Sequence, residues 1–121
     1  MTPSNMYLEL LKINSDAYAA GWNFYFVVLV GIVTIVSVVL ADGRRLSAAN
    51  RIFLGCGVVV FGAANLLSLY QSFLAIGQLG AELSTQLPAD KQWLVAEPSF
   101  GWSLLMHPVG TLLAAAFIWR N

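Results

Sequence analysis

Three long apolar runs, residues 22–41, 52–76 and 100–119, fill more than half of the 121-residue chain, and none contains Asp, Glu, Lys or Arg. Each reaches the roughly 20 residues that an α-helix needs to cross the hydrocarbon core of a bilayer. Hydrocarbon offers backbone N–H and C=O groups no partner, so a run of this kind must satisfy them internally, as a helix. The fold expected is all-α, an integral membrane three-helix bundle. The composition agrees, at 59% hydrophobic and 10% charged. A water-soluble domain carries about a quarter charged residues.

Three spans and their connections use nearly the whole chain, so residues 1–121 are read as one transmembrane domain. Net charge is zero, which leaves no electrostatic footprint for nucleic acid. The single cysteine, Cys56, rules out a disulfide framework or a cysteine-based zinc site within one chain. Residues 1–21 lack the basic start and short apolar core of a secretory signal.

Arg44, Arg45, Arg51 and Arg120 lie on one side of the spans, and Lys12 and Lys91 on the other. The excess of basic residues predicts an outside N-terminus and a cytoplasmic C-terminus. Arg44 and Arg45 then anchor the first connection at lipid phosphates. Trp22, Trp102 and Trp119 mark the span edges, where an indole finds both apolar and polar neighbours.

Residues 1–21 form an outer segment, expected to be helical. Thr2 and Pro3 resemble a capped start. Met6, Leu10, Ile13 and Ala17 recur at helical spacing, widened by Tyr7, Leu11 and Tyr18, opposite Glu9, Lys12, Ser15 and Asp16. The segment is amphipathic; it docks at the outer surface or runs on into the first span with a bend near Gly21. Asp42-Gly43 is a turn signal, and Ser47 a cap for the second helix. Residues 77–99 form the long outer loop, with the second helix reaching toward Leu83 and an apolar patch at Trp93-Leu94-Val95.

Small and polar residues line up within the spans. Ser103, His107, Gly110, Thr111 and Ala114 share a stripe on the third. Gly55, Gly62, Asn65, Ser68 and Ser72 share one on the second, and Asn23, Gly31, Thr34 and Ser37 a weaker one on the first. In lipid, helices associate through close backbone approach and interhelical hydrogen bonds. Gly31, Gly55, Gly62, Gly110 and Ala114 are therefore the packing candidates. Asn65, Ser68, Ser103, His107 and Thr111 are the candidates for interhelical or pore-lining polar contacts.

Depth narrows this further. Asn65 and His107 each lie about 20 Å from the arginine-rich end at the helical rise, so an Asn65–His107 hydrogen bond is expected. Pro108 cannot donate to the Leu104 carbonyl, which predicts a kink and a need for a donor such as Ser103 or Asn65.

The sequence carries no catalytic triad, metalloprotease motif, phosphate-binding glycine loop or paired carboxylates within a span. The expected function is non-enzymatic, with no metal or cofactor and lipid as the surrounding solvent. The chain is read as a homo-oligomer, a channel or pore candidate. The alternative is an accessory or assembly subunit of a larger membrane complex. A quinone- or haem-binding anchor is weaker, since His107 is the sole histidine. Ctr-type copper transporters share the span number, but their second span carries Met-x-x-x-Met, and residues 52–76 contain no methionine.

Overall fold

A computed structural model describes residues 2–86 and 100–121. They form three helices, α1 (Pro3–Ala41), α2 (Ala48–Ser84) and α3 (Phe100–Arg120), and all three contain stretches long and apolar enough to cross a membrane. The protein is a three-span membrane protein.

Ten of the thirteen residues 27–39 are β-branched, a composition that favours strands in water. The segment is nonetheless helical throughout. In hydrocarbon the need to close every backbone hydrogen bond outweighs a propensity difference of a few tenths of a kcal/mol per residue.

The ends of α1 follow from local chemistry. Thr2 Oγ1 accepts from the Asn5 N–H at 3.3 Å, and Pro3 occupies the first turn, where its missing N–H costs nothing. At the other end Gly43 takes φ 74°. Its N–H donates to the Leu40 carbonyl at 3.0 Å, and that of Arg44 to the Val39 carbonyl at 3.3 Å. This pair of bonds is the Schellman closure, and its left-handed residue is one that glycine adopts without strain. Ser47 Oγ then caps α2, accepting from the Asn50 N–H at 3.1 Å. The short connection makes α1 and α2 antiparallel neighbours.

The buried residues of α2 are Gly55, Val58, Gly62, Asn65, Leu69, Ile76, Gly80 and Leu83. Their steps are three and four, with one of seven that counts as two, so the repeat is 3.5, the period that keeps one seam against a partner in left-handed winding. Both α1 and α3 pack along α2 and touch each other far less. Toward the arginine-rich end, the core is Val36, Val58, Ala114, Ala115 and Ile118. Toward the other end it is Tyr18, Leu69 and Ile76.

At 1.5 Å per residue, α1 (39 residues) and α2 (37 residues) are about 58 and 55 Å long, nearly twice the hydrocarbon thickness, whereas α3 with 21 matches it. The tight α1–α2 connection places the excess of both helices at the opposite end, as a projecting two-helix hairpin. Of the two courses expected for the N-terminal segment, it takes the one that runs on into the first span. It is the start of α1, which runs through Gly21 without interruption. Its inward side is Tyr7, Leu11 and Tyr18, whereas Met6, Leu10, Ile13 and Ala17 are exposed. Residues 77–84, within the connection bounded as 77–99, continue α2, in keeping with its expected reach toward Leu83. The Trp93-Leu94-Val95 patch and the side chain of Trp102 lie outside the described residues.

Candidate functional site

A polar layer separates the two apolar cores. Asn65 of α2, His107 and Thr111 of α3, and Tyr25 of α1 are all buried, His107 to within 1% and Tyr25 to within 2% of full exclusion. His107 Nε2 lies 2.7 Å from Asn65 Oδ1. Asn65 Nδ2 donates to the Gly21 carbonyl at 3.2 Å. One asparagine thus ties α2 to both neighbours.

These contacts fix the histidine tautomer. A carbonyl oxygen only accepts, so the amide must turn Nδ2 toward Gly21 and Oδ1 toward His107. Nε2 then carries the hydrogen, and in the neutral ring Nδ1 holds a lone pair. Nδ1 is buried and has no hydrogen-bond partner among the described residues. It is an open acceptor inside the bundle.

Aromatic rings enclose the imidazole. Tyr25 stacks on it, centroids 3.7 Å apart and planes 24° apart, and Trp22 meets it edge-on at 5.4 Å. The Tyr25 hydroxyl donates to the His107 carbonyl at 2.7 Å and lies 3.1 Å from Thr111 Oγ1. Thr111 Oγ1 also reaches that carbonyl, at 3.1 Å. Two hydroxyl hydrogens serve three contacts, so two of the three are hydrogen bonds at any one time.

Glycines make room for this layer. A Cβ on Gly62 would sit 2.7 Å from Thr111 Oγ1, and one on Gly110 2.7 Å from the Tyr25 hydroxyl oxygen. Nearer the arginine-rich end a Cβ on Gly55 would overlap the Trp119 indole, and Ala114 is buried in the core.

The structure thus brings together Asn65, His107, Thr111, Gly62 and Gly110. It does not bring the other candidates there. Ser68 is exposed. Ser103 is exposed and lines a recess of about 380 Å³ with Tyr18, Trp22, Phe26 and Met106. Gly31 is exposed, with nothing within 4 Å of a Cβ built on it. Asn23, Thr34 and Ser37 also face outward, so the α1 stripe is not a contact within the chain. Trp22, expected at the headgroups, is packed among Tyr18, Tyr25, Phe26 and His107. α3 is helical through Pro108. Of the donors expected at the Leu104 carbonyl, Asn65 is engaged at Gly21, and Ser103 is exposed.

Tyr25 and Trp22 are site residues that the polar-stripe reading missed. Their signal is the 4,3 step of Tyr18, Trp22 and Tyr25, a seam spacing occupied by aromatics. A phenol within a span also needs a partner for its hydroxyl.

Among the described residues, no three His, Cys, Asp or Glu side chains converge. What the layer can do chemically is hold three helices in register and offer one imidazole nitrogen to a hydrogen-bond donor. Comparison with protein-family models, curated proteins and solved structures gives no match to this chain.

Proposed function

We propose that this chain is a non-enzymatic membrane protein that self-associates through the outward face of α1. One observation supports this reading. Asn23, Gly31, Thr34 and Ser37 lie exposed on α1, and Gly31 opens onto empty space. Small and hydroxyl-bearing residues facing lipid gain nothing there. Facing another helix, they allow close approach and interhelical hydrogen bonds. The polar layer holds each subunit rigid, so that this face is presented in one geometry.

Conduction is the less supported part of the reading. Of the five polar candidates for a path between copies, Asn65, His107 and Thr111 are buried inside one chain. Only Ser68 and Ser103 remain exposed.

An accessory role within a larger complex is the second reading, favoured by the projecting hairpin. There Met6, Leu10 and Ile13 leave an exposed apolar stripe beyond the span, of the kind that a partner covers.

The native mass in mild detergent tests both. Self-association predicts one defined multimer, which Gly31→Leu and Thr34→Leu reduce to monomer. A wild-type monomer that copurifies with a stoichiometric larger partner supports the second reading and removes the first.

A further inference from the structure

The arginines at one end of the bundle do more than set topology. Arg45 belongs to the α1–α2 connection, Arg51 to the start of α2 and Arg120 to the last turn of α3. The fold brings these three elements to one cavity of about 280 Å³, lined by Leu40, Arg45, Leu46, Arg51, Arg120 and Asn121. Among the described residues the one ion pair is Arg44–Asp42, at 3.1 Å. Arg44 is thereby engaged, whereas among the described residues Arg45, Arg51 and Arg120 have no carboxylate within ion-pair distance.

Three arginines lining one small cavity raise the positive potential there, which favours an anion. The N-terminus of α2, between Leu46 and Arg51, adds the positive end of its dipole. All three helices begin or end here, at Ala41, Ala48 and Arg120, which is the level of the lipid headgroups. Guanidinium forks match the geometry of phosphate oxygens. Leu40 and Leu46 supply an apolar wall of the kind that the root of an acyl chain meets and that a free ion does not need.

We propose that Arg45, Arg51 and Arg120 form a binding site for the phosphate of an anionic phospholipid. Basic pockets between helices at a membrane face take lipid headgroups in this way. A zwitterionic headgroup brings its own ammonium and is disfavoured by the same three charges. The site does not depend on whether the protein self-associates.

Native mass spectrometry of the detergent-solubilised full chain tests the proposal, with phosphatidylglycerol, phosphatidylcholine and inorganic phosphate titrated separately. The wild type should retain phosphatidylglycerol in preference to phosphatidylcholine. Arg45→Gln, Arg51→Gln and Arg120→Gln should each weaken that retention by about fivefold or more. Arg44→Gln removes the same charge from an exposed, paired position and should leave it within about a factor of two. Circular dichroism of each variant in the same micelles verifies that helicity is kept. Equal losses from Arg44→Gln and the other three would reduce the effect to general attraction and overturn the site. So would equal retention of the two lipids. Binding of inorganic phosphate as tight as that of phosphatidylglycerol would assign the cavity to a soluble anion and overturn the lipid.

Discussion

Asn65 contributes to this bundle through the number of groups it satisfies. Its amide serves a backbone carbonyl of α1 and the imidazole of α3 at once. Alanine there would leave the His107 Nε2 hydrogen buried without a partner and remove the second donor to the Gly21 carbonyl, which still accepts within α1. An interhelical hydrogen bond in a membrane averages about 0.6 kcal/mol, and a buried group left unpaired costs about 1–3 kcal/mol. Asn65→Ala should therefore lower stability by about 2 kcal/mol. Tyr25→Phe is milder, about 0.5–1 kcal/mol, because Thr111 still reaches the His107 carbonyl and the ring still stacks. SDS-driven unfolding in mixed micelles measures both, and the order matters more than the values. Equal midpoints for Asn65→Ala and the wild type would mean that the bridge does not hold the helices together.

At the scale of the helices, the seam is set by steps of three and four and by glycines placed opposite bulky partners. Gly62 and Gly57 lie on the same helix and differ only in what faces them. A Cβ at Gly62 meets Thr111, while one at Gly57 meets nothing within 4 Å. Gly62→Val should destabilise by about 1–3 kcal/mol through overpacking, and Gly57→Ala should stay within about 0.5 kcal/mol of the wild type. Similar midpoints for the two variants in the same unfolding assay would show that α2 and α3 do not meet in this register. The contrast also explains how much of the site could be read from residue order. On α2 and α3 the buried face contains Asn65, His107 and Thr111, whose need for partners in hydrocarbon reveals the face. On α1 the buried face is Tyr18, Trp22, Tyr25 and Val36, mostly apolar, and in lipid an apolar residue is equally at home on either side. The polar residues of α1 therefore pointed away from the seam within the chain. Tyr25 was legible only through its hydroxyl.

For the molecule as a whole, hydropathy located the three spans but not the lengths of the helices that contain them. Glu9, Lys12 and Asp16 end the apolar run on the N-terminal side, yet all three are exposed on one continuous α1. A charge stops a span without stopping a helix, because beyond the hydrocarbon an exposed carboxylate or ammonium is simply hydrated. The same asymmetry bears on orientation. Arg44, Arg45, Arg51 and Arg120 gather at the end where the α1–α2 connection lies, and the projecting hairpin carries Glu9, Asp16 and Glu82 at the other. The excess of basic residues predicts that the connection faces the cytoplasm and the hairpin the outside. Two single-cysteine variants decide this, each built on Cys56→Ser. Gln86→Cys lies just past the end of α2 and Arg44→Cys in the connection; both positions are exposed. A membrane-impermeant maleimide added to intact cells should label Gln86→Cys at once and Arg44→Cys only after the membrane is opened. The opposite pattern would invert the protein in its bilayer. The arginine cavity would then face the outer leaflet, with its lipid drawn from that side.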